Sequence, residues 1–100
     1  MENIMGASAE IDYSKRAVIT LDVMASQVAQ ETVLLNLNTA SYFGLDEIGS
    51  RMWQLATTSA SLQAAYEAFL AEYDVEPETL RGDFTTLLQN LLAAGLIELQ

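Results

Sequence analysis

The feature that most constrains this chain is a change in the period of its apolar residues at Asp46. Ahead of it, Ile19, Leu21 and Val23 alternate with Val18, Thr20 and Asp22, and Val33, Leu35 and Leu37 alternate with Thr32, Leu34 and Asn36. A period of two is that of a strand with one buried face. Behind it the spacing becomes three and four: Ile48, Met52 and Leu55, then Leu62, Tyr66, Phe69, Leu70 and Tyr73, then Leu80, Phe84, Leu87, Leu88 and Leu91. These are apolar stripes of amphipathic helices. A chain that is strand first and helix afterwards builds an α+β domain, with helices laid on one face of an antiparallel sheet.

The punctuation places the elements. The first strand is expected over residues 17–24, followed by a polar, small-residue connection over 25–30, and the second strand is centred on Val33 to Leu37. Asparagines 36 and 38 tolerate turn dihedrals and bond their own backbone, so a hairpin leads into a short third strand at Tyr42-Phe43-Gly44-Leu45. Asp46 is expected to cap a first helix that runs to about Ala56, with Glu47 favoured in its first turn. The run from Thr57 to Ser61 suits a loop, Pro77 suits the first position of a third helix, and Gly95 suits its C-terminal stop. The tail Leu96-Ile97-Glu98-Leu99 can add an extended piece, too short to cover the third strand. The expected order is β-β-β-α-α-α, a three-stranded antiparallel sheet followed by three helices, of winged helix-turn-helix type. Residues 1–14 show no sustained period and read as a loose arm, leaving residues 15–100 as the single domain.

Composition narrows function by removal. The chain has no cysteine and no histidine. Disulfides, thiolate nucleophiles and sulfur ligands are therefore absent, as are the commonest general base and the commonest metal ligand. A serine nucleophile would have only Lys15 or a carboxylate as its base. A binding protein without cofactor or metal is expected rather than an enzyme. The formal net charge is −10, with Lys15, Arg16, Arg51 and Arg81 as the only cations. Nucleic acids and anionic membranes are held by clustered Lys and Arg, so neither is an expected partner. The longest uncharged stretch near the C-terminus, residues 84–97, is too short for a bilayer, and Glu2 and Glu10 stand where a secretory signal would carry cations. A cytoplasmic location is the expectation.

Tyr42-Phe43-Gly44-Leu45 is the segment most suggestive of a site. An edge strand exposes unpaired N–H and C=O groups, and a glycine in it admits another backbone. An extended peptide can pair with such an edge while its alternate side chains fill apolar pockets. The same residues also fit an ordinary edge, with Phe43 and Leu45 in the core and Tyr42 half exposed. On the third helix, Arg81 and Asp83 flank the apolar stripe and suit either polar groups of a docked peptide or a solvated helix border. Trp53 suits an interface anchor or a half-buried helix position.

From about Leu34 to Leu96 the sequence resembles the PqqD-like family, the leader-recognition elements of ribosomal peptide biosynthesis (RiPP recognition elements). The residues that carry the resemblance are Leu35-Asn36-Leu37, then Tyr42-Phe43-Gly44-Leu45-Asp46-Glu47-Ile48-Gly49 and Trp53. Tyr73-Asp74-Val75, Pro77-Glu78, Asp83 and Gly95-Leu96-Ile97 continue it. Asp46 stands where members often have asparagine, an equivalent cap, and the acidic surface departs from many members. Length and the Tyr-Phe strand are most similar to the stand-alone leader-binding proteins of lasso peptide biosynthesis. The resemblance implies a leader peptide added to the third strand in a groove closed by the third helix, and a separate leader peptidase of cysteine-protease type. It puts strand contacts on Ser41, Tyr42, Phe43, Gly44 and Leu45, and helix contacts on Leu80, Asp83, Phe84 and Leu87. Monomer and weak homodimer both fit. The alternatives are a leader-binding chaperone of another modified-peptide pathway, such as that of pyrroloquinoline quinone with a radical enzyme as partner, and a winged-helix DNA-binding protein, which the charge opposes.

Overall fold

The computed structural model describes residues 10–100. Its elements are β1 (Ala17–Ile19), β2 (Val23–Val28), β3 (Glu31–Asn36), β4 (Ser41–Leu45), α1 (Glu47–Thr58), α2 (Leu62–Glu72), α3 (Pro77–Ala93) and β5 (Ile97–Leu99). Strands β2, β3 and β4 form an antiparallel sheet in that order, and β1 pairs with β5 in a separate antiparallel ribbon. The α+β class and the three-stranded sheet with three helices are as the sequence reads. No helix among the described residues is long and apolar enough to cross a membrane.

The first expected strand is two strands. Asp22 adopts a left-handed φ of 69°, which ends one extended segment and starts the next. The Thr20 N–H then bonds to the Leu96 carbonyl at 3.1 Å, so β1 belongs with the C-terminal tail rather than the main sheet. The expected connection over 25–30 is mostly β2, and only Ala29 and Gln30 turn, with Ala29 at φ 58°. The strand lacks an apolar alternation because Ser26 and Gln27 fall on opposite faces beside the small Ala25, while its backbone bonds to β3 regardless of side-chain type. The phase of β3 also differs from the apolar count: Thr32, Leu34 and Asn36 are buried, while Val33 and Leu35 lie on the outer face. Asn36 is held inside by the turn it makes. Its Oδ1 accepts from the Asn38 and Thr39 N–H groups at 2.9 and 3.3 Å, and its Nδ2 donates to the Gly95 carbonyl at 3.4 Å.

Each helix begins on a side-chain cap. Asp46 accepts from the Gly49 N–H at 2.8 Å, Ser61 from Ala64 at 3.1 Å, and Glu76 from Glu78 at 3.2 Å with Pro77 as the first helical residue. α3 ends at Gly95, φ 72°, where the Leu96 N–H returns to the Leu91 carbonyl and that of Gly95 to Leu92. Leu91 and Leu96 are both buried at that end. The core joins Leu34 of the sheet to Met52, Trp53 and Leu55 of α1, Leu62 and Phe69 of α2, and Leu80, Phe84, Leu88 and Leu91 of α3. Trp53 is core.

Residues 1–9 of the expected arm lie outside the described residues. Tyr13, read as part of that arm, is buried. Its hydroxyl lies 2.7 Å from Thr85 Oγ1, its ring meets Tyr66 and Phe84 edge-on at 6.1 and 6.0 Å, and Arg81 lies 3.9 Å above it. The carbonyls of Tyr13 and Lys15 accept from Gln63 and Leu62, satisfying the first N–H groups of α2.

Candidate functional site

The site follows from which way β4 points its backbone. The Leu37 N–H bonds to the Asp22 carbonyl at 2.9 Å, which continues the β2–β3 register outward from the Val23–Asn36 pair. In an antiparallel ladder such bonds recur at alternate residues, so Glu31, Val33 and Leu35 face β2 while Thr32, Leu34 and Asn36 face β4. Their partners Leu45, Phe43 and Ser41 therefore bond to β3. Tyr42 and Gly44 turn their N–H and C=O groups to the other side. β4 is the last strand of its sheet, so that side pairs with nothing among the described residues.

Side chains divide by the same alternation. Leu45 is buried and Phe43 half-buried toward the helices, whereas Tyr42 and Gly44 face outward, Tyr42 76% exposed. Gly44 has no positive φ, and a Cβ built on it meets no atom within 4 Å. Nothing within the chain requires glycine there, although glycine weakens a strand.

Beside this edge runs an open groove of about 460 Å³ between β4, the start of α1 and α3. Phe43, Leu45, Ile48, Met52 and Leu87 supply its apolar lining, and Asp46, Asp83 and Asn90 its polar groups. No Lys or Arg lines it among the described residues. Arg51 is engaged elsewhere, donating from Nε to Glu72 at 2.9 Å and from Nη1 to Gln54 at 3.0 Å. That pairing holds the Glu72 carboxyl below its ordinary range and raises the Arg51 guanidinium. Arg81, suggested by sequence as a groove residue, instead lies over Tyr13 on another face of α3.

The residues singled out from sequence thus fall into groups. Phe43, Gly44, Leu45, Asp83 and Leu87 line the groove together. Ser41 and Tyr42 belong to the edge strand but stand outside the groove, with Ser41 Oγ 2.6 Å from Thr39 Oγ1. Leu80 and Phe84 are each 3% exposed and belong to the core. The correction is rotational: at about 100° per residue, Asp83, Leu87 and Asn90 form one stripe of α3, and Leu80, Phe84, Leu88 and Leu91 the neighbouring one. Asp46, Ile48, Gly49, Met52 and Asn90 were not singled out. The spacing of Asn90 from Asp83 and Leu87 was the available signal for it. The positions on α1 needed knowledge of the angle between α1 and α3.

These features define a class of small α+β modules that leave the last strand of a three-stranded sheet unpaired beside a helix. Residues 31–97 match the family described as coenzyme PQQ synthesis protein D (PqqD), and the chain belongs to that family. Among solved structures it resembles TbiB1, determined in complex with the TbiA(beta) leader peptide. The TM-score is 0.75 at 36% identity, over 81% of this chain and 94% of that one. No curated protein matches.

Proposed function

We propose that the protein binds the leader segment of a ribosomally synthesised precursor by strand addition to β4, and presents it to a leader peptidase in lasso peptide biosynthesis. The observation that carries this reading is the coincidence of two things at one edge. Outward backbone groups of Tyr42 and Gly44 lie beside a groove that offers the apolar side chains of Phe43, Leu45, Ile48, Met52 and Leu87. Main-chain bonds give such a site affinity, and pockets for alternate side chains give it specificity. The likeness to TbiB1, solved with a leader peptide, supports the same occupant here. The protein does no chemistry of its own in this scheme. It raises the effective concentration of the scissile junction at the processing enzyme. The family description favours one second reading, leader delivery to a radical enzyme in a quinone-cofactor pathway.

Fluorescence polarisation of a labelled leader peptide encoded beside this gene tests the binding step. Saturable binding by wild type, lost in a folded Tyr42→Ala/Phe43→Ala variant, is the expected result. Absence of binding at high micromolar protein would overturn it. Cleavage of the precursor by the neighbouring peptidase, accelerated by wild type and not by the variant, distinguishes the peptidase pathway from the radical-enzyme one.

A further inference from the structure

The strand at the other end of the sheet, β2, carries none of the devices that keep an edge from pairing. Edges are ordinarily blunted by lysine, proline, a bulge or short length. β2 reads Val-Met-Ala-Ser-Gln-Val over six residues, without charge or proline, and holds an unbroken register with β3. Every residue after Val23 is exposed. The Val23 N–H is already bonded to the Thr20 carbonyl, but Ala25 and Gln27 turn their N–H and C=O groups outward, and no strand among the described residues takes them.

The strand is complementary to itself. Two antiparallel copies related by a twofold axis at Ser26 set Ala25 against Gln27 of the second copy, and each such pair exchanges its main-chain bonds in both directions. A shift of the axis by one residue either way would call on the engaged Val23 N–H or on Ala29, which stands in a left-handed turn. On the outer face the same axis sets Met24 against Val28 of the second copy, residues that are 57% and 66% exposed in the single chain. On the inner face Gln27 of the second copy stands next to the small Ala25, beside a cleft of about 100 Å³ lined by Ala25, Thr32, Trp53 and Gln54. Asp22 falls beside Gln30 of the second copy rather than beside another acid. Cross-strand pairs of this kind are what stabilise a sheet.

We infer that β2 is the contact through which two copies of this chain associate, joining their three-stranded sheets into one of six strands. The occupant is a second copy because the axis lets one uncharged segment satisfy itself in both its bonds and its side chains. β4 then lies at both ends of the joined sheet, and each copy keeps its groove. A single strand pair is smaller than a standard interface, so association is weak and needs concentrated protein. The net charge of −10 on each copy opposes it, and salt strengthens it by screening.

Sedimentation velocity of the full chain tests this. From about 10 to about 500 µM protein in about 0.5 M NaCl, the average mass should rise from 10.9 kDa toward twice that, and rise less in about 50 mM NaCl. Ala25→Pro, checked for folding by circular dichroism, should stay at 10.9 kDa. Ser26→Lys serves if that variant fails to fold, since it sets two ammonium groups opposite each other at the axis. Oxidation reads the register, because the chain has no cysteine of its own. Ser26→Cys should form a disulfide-linked dimer, since a residue and its own copy at the axis lie about 4.5 Å apart between Cα atoms. Met24→Cys alone should link about tenfold more slowly, yet link readily when mixed with Val28→Cys. A wild type that stays monomeric across the range, or Ser26→Cys and Met24→Cys that link equally fast, overturns the inference. A second leader peptide bound per chain and lost in Ala25→Pro also overturns it, since the edge then receives a peptide. Self-association at β2 is independent of what β4 captures, so failure of leader binding at β4 falls on the proposed function alone.

Discussion

β2 and β4 are the two edges of one sheet, and they meet different neighbours. By the alternation fixed at Leu37 and Asp22, β2 turns the backbone groups of Ala25 and Gln27 outward, as β4 does with Tyr42 and Gly44, while the Val23 N–H is taken by the Thr20 carbonyl at 3.3 Å. The cleft near β2 is small and polar, about 180 Å³ lined by Gln27, Gln30, Arg51 and Gln54 among others, and Arg51 is already bound to Glu72. The groove near β4 is about 460 Å³ and sets the apolar side chains of Phe43, Leu45, Ile48, Met52 and Leu87 beside Asp46, Asp83 and Asn90. An unpaired edge is a general liability. What differs is what stands beside each edge: Phe43, Leu45, Ile48, Met52 and Leu87 with three polar groups by β4, and glutamines with an engaged Arg51 by β2.

The comparison breaks most completely if α3 loses its seat. Phe84→Ala should destabilise the fold by about 3–5 kcal/mol, since the ring is buried against Tyr13 and the core. At about 4–8 °C per kcal/mol for a domain of this size, the melting temperature should fall by more than about 10 °C. A change of one or two degrees by calorimetry would mean that this face of α3 is not the core.

A matched pair of prolines tests the two edges directly. Gly44→Pro removes an outward donor from β4, and Ala25→Pro removes one from β2; neither donor serves the β3 ladder. Proline is tolerated at such edge positions. Leader affinity should fall about tenfold or more, roughly 1.4 kcal/mol, for Gly44→Pro and stay within twofold for Ala25→Pro. Equal losses in polarisation would erase the distinction between the edges. Leu87→Ala should act more weakly, costing about threefold to tenfold in affinity and about 1 kcal/mol in stability, because Leu87 is half-buried at the groove wall.

What the sequence disclosed follows the same division. Two helix starts were legible because their signals are local: Asp46 caps α1 through Gly49, and Pro77 is the first residue of α3. The edge strand was legible from Tyr42 to Leu45 because Asn36 and Asn38 announce its turn. The split at Asp22 was not, since non-glycine residues at positive φ carry little signal and the partner of β1 lies at the far end of the chain. The phase of β3 was hidden because its outer face carries Val33 and Leu35 while its buried face carries Thr32 and Asn36 beside Leu34, and Asn36 is held inward by its own turn and by Gly95, 59 residues away. Tyr13 escaped notice for the same reason, its partners being Thr85 and Arg81. Leu80 and Phe84 were placed in the groove because helical spacing gives a stripe's width but not the direction in which each border faces.

The smallest expected effect belongs to the β2 side. Arg51 bonds Glu72 and holds its carboxyl below the ordinary 4.5, which favours the ionised form in the folded protein. A depressed carboxylate contributes stability above its unfolded pKa and loses that contribution as pH falls through the folded one. Both partners are exposed to solvent, so the effect is slight and screened by salt. Glu72→Gln should melt marginally below wild type at neutral pH and converge with it in acid below pH 4.5. Leader affinity should be the same for Glu72→Gln and wild type at every pH in that window, because the pair borders the cleft near β2 and not the groove near β4. A pH-dependent loss of capture specific to Glu72→Gln would mean that the two edges communicate through α1 and do not act separately.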